Sequence, residues 1–322
     1  MALKGKDLLR EKVILVTGAS GFIGQHLCRT LLDQAGAIHA VSRSKPDLSD
    51  TGLCWHKVDL ADTDATRTAI SKIRADFVFH LCSYAQGERD LALVLPTFRS
   101  ELQAAVNVLT SVTEIGCERL IMAGSFEEPA PGDVPSSPYA AAKAATAAYA
   151  RMFHRLYGLP VVMTRILMTY GPGQSTKKII PHVISRMLRG EPVKIASPAR
   201  KVDWIYVDDV VTGLLAAAIA PGLEGKSIDL GSGEFVQISD VVHRIQRLVK
   251  SSSVIELGAV PARLFEEECL ADTATAHDLT RWRSSISFDE GLARTVSYYA
   301  RSGGLGMGGG ITTPHGDKRL TF

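Results

Sequence analysis

The sequence has little of what would mark it for a membrane, a nucleic acid or a disulfide framework. Its five cysteines, Cys28, Cys54, Cys82, Cys117 and Cys269, are odd in number, scattered, and contain no Cys-x-x-Cys pair. That excludes a disulfide scaffold and a zinc site, and is expected of reduced thiols in a cytoplasmic protein. No apolar run approaches the length of a bilayer crossing, and the charged stretch 1–12 has no signal-peptide core. Lysine and arginine total 36 against 34 aspartates and glutamates, a net charge of +2. Without a basic stripe interleaved with aromatics, nucleic acid is not the expected partner. The expectation is a soluble protein of 322 residues, long enough for one large or two ordinary domains.

What is present is concentrated near the N-terminus. Val13-Ile14-Leu15-Val16-Thr17 is a short β-branched run that reads as a strand buried on both faces. Gly18, Gly21 and Gly24 follow, with Ser20 between them, and Phe22, Ile23, Leu27, Leu31 and Leu32 then recur at helical spacing. The glycines therefore sit at a strand-to-helix turn, where a tight bend and the approach of a pyrophosphate both need bare backbone. The helix behind them aims its N–H groups and its positive dipole end at that anion.

A second strand, 37–41, runs into Ser42-Arg43, about 20 residues beyond the glycines, where an acidic residue would hold the adenosine ribose hydroxyls. A hydroxyl followed by a guanidinium suits a 2′-phosphate instead, so NADP is expected ahead of NAD. Lys45 lies close enough in sequence to assist. A third strand, 53–58, leads to Asp59-Leu60. Asp59 suits the adenine amino group or the start of the helix that Asp62 opens, and the two roles are compatible. The fourth strand, 76–81, brings Leu81 and then Ser83 to the cofactor edge, with His80 read as a packed core histidine. A helix over 97–115 and a strand over 120–123 follow, closing on Gly124-Ser125. Strands alternating with helices imply a doubly wound α/β sheet that binds ligands at the carboxyl ends of its strands.

Ser125 leaves one such end. Tyr139 and Lys143 come next, four residues apart behind Ser137-Pro138 in an alanine-rich helix. That spacing stacks a phenol and an ammonium on one helix face. A cation beside a phenol favours its ionised form, which suits general acid–base work. Lys143 can also hold the nicotinamide ribose, and Ser125 a substrate carbonyl. A Tyr-x-x-x-Lys pair alone also arises as ordinary helix surface; here it follows a dinucleotide turn and a strand-end serine.

Taken together, these motifs resemble the extended short-chain dehydrogenase/reductases of the nucleotide-sugar epimerase, dehydratase and reductase branch. The likeness spans about 13–299. Besides the residues above it includes Tyr170-Gly171-Pro172-Gly173-Gln174, Tyr206-Val207-Asp208-Asp209-Val210 and the Ala271-Asp272…Leu279…Trp282 segment. It implies a Rossmann domain over 1–171 with a returning segment near 202–234, and a smaller C-terminal α/β substrate domain over 172–201 and 235–302. It also implies a homodimer built from the helices 97–115 and Pro138–Tyr157, a nucleoside-diphosphate sugar as substrate, and Ile166 beside the cofactor. Gly124-Ser125-Phe126-Glu127-Glu128 and Gly171-Pro172-Gly173-Gln174-Ser175 are similar to the GDP-4-keto-6-deoxymannose reductases, which use NADPH.

The departures narrow the chemistry. Phe126 stands where the 4,6-dehydratases have their proton-donating Asp, so dehydration is not expected. Glu127 matches the family's base position and is either a second acid–base group or a sugar-hydroxyl ligand. Met168 replaces a common Asn, Val202 a common Arg, and Glu101 a common helix Asn; Arg200 or Lys201 is left to supply a phosphate contact. The expectation is an NADPH-dependent reductase of a nucleoside-diphosphate 4-keto-6-deoxysugar, with Met168, Gln174 and Arg200 near the substrate. An epimerase retaining NAD(H) and a non-catalytic NADP-binding protein are the alternatives. Gly231-Ser232-Gly233 reads as a strand-ending turn or a phosphate loop without its Lys-Ser/Thr, and the tail 303–322 has no periodicity and is expected to lack fixed structure.

Overall fold

The computed structural model describes residues 9–44, 52–84, 88–130, 132–261 and 267–302. Lys45, residues 1–8 and the tail 303–322 lie outside the described residues.

The strands are β1 (Val13–Thr17), β2 (Ala37–Ser42), β3 (Cys54–Lys57), β4 (Phe77–His80), β5 (Arg119–Ser125), β6 (Val161–Ile166), β7 (Met168–Tyr170), β8 (Val193–Ile195), β9 (Lys201–Tyr206), β10 (Ser227–Leu230), β11 (Phe235–Gln237) and β12 (Ile255–Leu257). The helices are α1 (Phe22–Leu31), α2 (Thr63–Ile73), α3 (Val94–Thr97), α4 (Ala104–Ile115), α5 (Pro138–Tyr157), α6 (Ile179–Leu188), α7 (Val207–Ile219), α8 (Ile238–Val249), α9 (Thr273–Thr280) and α10 (Phe288–Arg301).

Seven strands form one parallel sheet in the order β10-β6-β5-β4-β1-β2-β3. Its central strands are apolar because both faces are covered: Ile14, Leu15, Val16, Leu120, Ile121 and Met122 are essentially inaccessible. The order reverses at β1, the crevice where ligands bind in sheets of this kind. Two smaller sheets, β11-β9-β7 and β12-β8, belong to the rest of the chain.

The chain divides into two compact units. The first comprises the chain up to Ile166, Val210–Leu230 and Asp272–Arg283; the second comprises Leu167–Asp209, Gly231–Ala271 and the chain from Ser284. The first unit thus ends at Ile166, not at 171, and its returning segment begins at Val210, not near 202. It also takes in Asp272–Arg283, which the resemblance implies for the substrate domain. The cause is local bonding. Asp229 on β10 accepts from two guanidinium nitrogens of Arg165 on β6 at 2.8 and 2.7 Å, and also from the Asp272 backbone N–H at 3.0 Å. The Trp282 indole donates to the Thr212 hydroxyl at 2.9 Å.

Helix starts follow their capping residues. Asp62 accepts the Ala65 N–H and opens α2; Ser137 accepts the Ala140 N–H and opens α5, with Pro138 in the first turn. Gly158, left-handed at φ 69°, ends α5. The helix expected over 97–115 has a more particular form: α3 runs into a π-helical turn, Phe98–Gln103, and then into α4. The second unit has its own core around Tyr170, Trp204, Tyr206, Val242 and Tyr299.

Candidate active site

The glycine turn is built for close approach. Gly18 has φ +69°, and a Cβ there would lie 2.7 Å from the Leu81 and Cys82 backbone. A Cβ on Gly24 would overlap the Gly18 carbonyl oxygen. The two glycines let β1, α1 and the end of β4 meet with nothing but backbone between them. Phe22 and Ile23 open α1 behind Gly21, and no side chain caps that terminus. Ser20 holds the turn through its carbonyl, which accepts from the Gln25 amide at 2.7 Å. These features fit a dinucleotide pyrophosphate: a cradle that any β-carbon would fill, under a helix terminus whose N–H groups favour an anion.

Around that cradle, the Leu81 N–H donates to the Thr17 carbonyl at 3.2 Å, and Ser83 follows as exposed chain. Ser42 ends β2 with its hydroxyl donating to the Ser44 carbonyl, while Arg43 is exposed. Asp59 accepts the Ala61 N–H at 3.1 Å and pairs with Arg99 at 3.1 Å, next to buried Leu60. Arg99, in the π-helical turn, is a neighbour that the sequence reading did not pick out. His80 is buried and shares a 2.8 Å hydrogen bond with Thr17. Burial, with the Lys143 charge in support, drops its pKa to about 3, so it is a neutral packed histidine.

Ser125, Tyr139 and Lys143 come together in the interior. The Lys143 ammonium lies 5.7 Å from the Tyr139 ring centroid and donates to the Ala123 carbonyl at 2.8 Å. Ser125 lies close enough to Tyr139 to favour its ionised form, and its Oγ accepts the Glu127 N–H at 3.2 Å. Glu128 accepts the Ser125 N–H at 2.7 Å and fixes the strand end from below. Burial pushes the Glu128 carboxyl upward, against that hydrogen bond. Ile166 is buried at the end of β6, and its carbonyl accepts the Phe126 N–H at 3.2 Å.

The electrostatics correct the sequence reading in one respect. Lys143 does pull the Tyr139 pKa down, but burial pushes it up more strongly, and the net direction is above the ordinary phenol value. A residue noted in sequence only as a departure adds to that burial effect. Glu101 places Oε2 3.0 Å from Lys143 Nζ, with both side chains almost wholly buried, and its other oxygen accepts the Tyr84 N–H. That carboxylate raises the Lys143 pKa and acts on Tyr139 in the same upward direction.

Three sequence-predicted substrate residues, Met168, Gln174 and Arg200, belong to the second unit. Met168 starts β7 half-buried. The Gln174 amide donates to the Thr169 carbonyl at 2.8 Å, and the Gln174 backbone carbonyl accepts the Tyr299 hydroxyl. Arg200 donates to the Glu267 carbonyl at 3.2 Å. Gly231-Ser232-Gly233 does not offer a phosphate loop: buried Asp203 takes the Ser232 and Gly233 N–H groups at 2.7 and 3.0 Å, and the Ser232 hydroxyl at 2.7 Å. No cluster that would hold a metal ion occurs among the described residues, and no helix among them is long and apolar enough to cross a membrane.

Fold and site together define a nicotinamide-dinucleotide oxidoreductase of the extended short-chain dehydrogenase/reductase type. Residues 14–231 match the NAD dependent epimerase/dehydratase family, and the chain belongs to it. It is similar to a UDP-glucuronate 4-epimerase of Thermodesulfobacterium geofontis, 27% identical, covering 88% of this chain and 95% of that protein. A probable dTDP-glucose 4,6-dehydratase of Sinorhizobium fredii is 28% identical, covering 90% and 93%. Among solved structures, the UDP-glucose 4-epimerase of Thermus thermophilus in complex with NAD aligns with a TM-score of 0.77 and 25% identity, over 89% of this chain and 98% of that one.

Proposed function

We propose that this protein reduces the 4-keto group of a nucleoside-diphosphate 6-deoxysugar with NADPH. Gly18, Gly21 and Gly24, with Ser20, Phe22 and Ile23, hold the pyrophosphate. Asp59 and Leu60 face the adenine, Leu81, Ser83 and Ile166 line the nicotinamide half, and Lys143 holds its ribose. Ser42 and Arg43 take the 2′-phosphate. When bound, the reduced dinucleotide supplies the hydride that reaches the sugar carbonyl carbon. Tyr139 gives its phenolic proton to the carbonyl oxygen, so the ketone becomes an alcohol and the tyrosine recovers its proton from solvent. Ser125 positions the oxygen, and Lys143 steadies the transient phenolate.

The observation that carries this reading is the state of Tyr139. Burial raises its pKa despite the neighbouring ammonium, so at neutral pH it rests as an acid, the form that a reduction consumes. Phe126 has no proton to give, which supports reduction over dehydration. Met168, Gln174, Arg200 and Glu127 are assigned to the sugar diphosphate. Exposed apolar side chains, Leu95 in α3, Phe98 directly after it, and Tyr149, Leu156 and Tyr157 on α5, support a homodimer through this region.

A second reading, epimerisation at C4 with NAD(H) retained, is favoured by the similarity to 4-epimerases. The test that separates them is to incubate the purified protein with NADPH and a panel of 4-keto-6-deoxy nucleotide sugars, and to identify the dinucleotide released on denaturation. Stoichiometric loss of reduced-nicotinamide absorbance supports the reductase. No consumption with any member, together with tightly held NAD(H), supports the epimerase instead.

A further inference from the structure

Glu101 carries a negative charge into the interior, beside the pair that does the acid–base work. The π-helical turn Phe98–Gln103 presents it there, and such turns recur at functional sites. One oxygen accepts the Tyr84 N–H; the other lies 3.0 Å from Lys143 Nζ. An amide side chain would accept that N–H equally well, and a buried ion pair is a costly substitute for a neutral contact. The charge therefore does something that the local fold does not need.

After burial, the charge that opposes Lys143 at Tyr139 is that of Glu101. His80, on β4, is neutral, with a pKa of about 3. Cys82, after β4, has its thiol pushed up by burial, which keeps it protonated. Glu127 and Glu128, after β5, act on the cluster through their charge, Glu127 on Tyr139 and Glu128 on Lys143; Glu128 is held on the Ser125 N–H at 2.7 Å. Among the described residues, Glu101 is the carboxylate in ion-pair contact with Lys143.

We propose that Glu101 is a positioning residue that balances the Lys143 charge and so keeps Tyr139 protonated, committing the site to giving a proton to a keto oxygen rather than taking one from a hydroxyl. This rests on the reading of Tyr139 as the acid. Charge balance in the buried cluster sets the effect. With Glu101 ionised, the Glu101–Lys143 pair is net neutral, and losing the phenolic proton leaves an extra buried negative charge. With a neutral residue at 101, the same loss forms a Tyr139–Lys143 ion pair, so the proton leaves at lower pH.

The test needs neither substrate nor turnover. Tyrosinate absorbance of the whole protein is titrated in the wild type, Glu101→Gln and Glu101→Asp, each with the matching Tyr139→Phe curve subtracted. In Glu101→Gln the Tyr139 phenolate should form about one pH unit lower, roughly tenfold more of it at a given pH, while Glu101→Asp follows the wild type. A Glu101→Gln curve that superimposes on the wild type, or moves to higher pH, overturns the proposal. If Glu101→Gln does not fold by circular dichroism, Glu101→Asn replaces it. Failure of both amides to fold while Glu101→Asp folds would make the charge structural and would equally overturn it. Because the titration is blind to activity, a protein that reduces no keto sugar can still confirm the Glu101 effect, and an unmoved titration leaves the reductase reading intact.

Discussion

Lys143 lies one helical turn beyond Tyr139 on α5 with its ammonium 5.7 Å from the phenol ring, close enough to stabilise a phenolate once the proton has gone. Tyr139→Phe removes only the hydroxyl from this arrangement. Turnover should fall by about 10²–10⁴, the usual worth of a general acid, while the dissociation constant for the dinucleotide stays within about twofold of wild type. Steady-state kinetics and a fluorescence titration check the two halves separately. Wild-type turnover from the phenylalanine variant would remove Tyr139 from the chemistry.

Gly24→Ala tests the cradle. Its Cβ would overlap the Gly18 carbonyl, so the turn must open to admit it. Overpacking of this kind costs about 1–3 kcal/mol, and the opened turn should also lose dinucleotide affinity. Chemical denaturation and cofactor titration measure the two effects, and a variant that keeps both stability and affinity would show that the contact has slack.

His80 makes the fold acid-sensitive in a definite direction. Its folded pKa of about 3 lies below the ordinary 6.5, so between these values the unfolded chain binds a proton that the folded chain refuses. Stability is therefore complete above the ordinary value and falls as pH drops through it, by about 2 kcal/mol at pH 5 from this residue alone. His80→Gln can still hydrogen-bond to Thr17 but does not titrate, so its denaturation midpoint should decline less steeply from pH 7 to 5. Parallel declines in the two proteins would contradict the assignment.

In the proposed reductase reading, Arg43 takes the 2′-phosphate of NADPH. Arg43→Ala should weaken NADPH binding about tenfold, the loss expected for a charge-assisted hydrogen bond, and leave NADH unchanged. Equal effects on both cofactors would place the guanidinium elsewhere.

Features written locally were legible in the sequence. The β1 run, the three glycines, and Ser137-Pro138 opening a helix that carries Tyr139 and Lys143 all depend on neighbours within one or two turns. The strand Val161–Ile166 is written just as locally, in a short apolar run. The three-residue strands β7, β11 and β12 are too short for periodicity to reveal. What the sequence hid was long-range pairing. Glu101 stood out as an oddity, but only the packing of the π-helical turn against α5 shows its carboxylate on Lys143. Asp203 likewise gives no sign that it occupies the Ser232-Gly233 turn, and Asp272 none that Asp229 draws it back to the first unit.

The most direct test of the account follows the hydride. The protein is given a 4-keto-6-deoxy nucleotide sugar and NADPH carrying deuterium at nicotinamide C4, prepared as each stereoisomer, and the product is read by mass spectrometry and proton NMR. The account predicts that one of the two isomers places a single deuterium at sugar C4, with one NADP⁺ formed per product. A C4 epimer formed from a nucleotide sugar without added NADPH, no keto sugar being reduced and no deuterium appearing at C4, would contradict it.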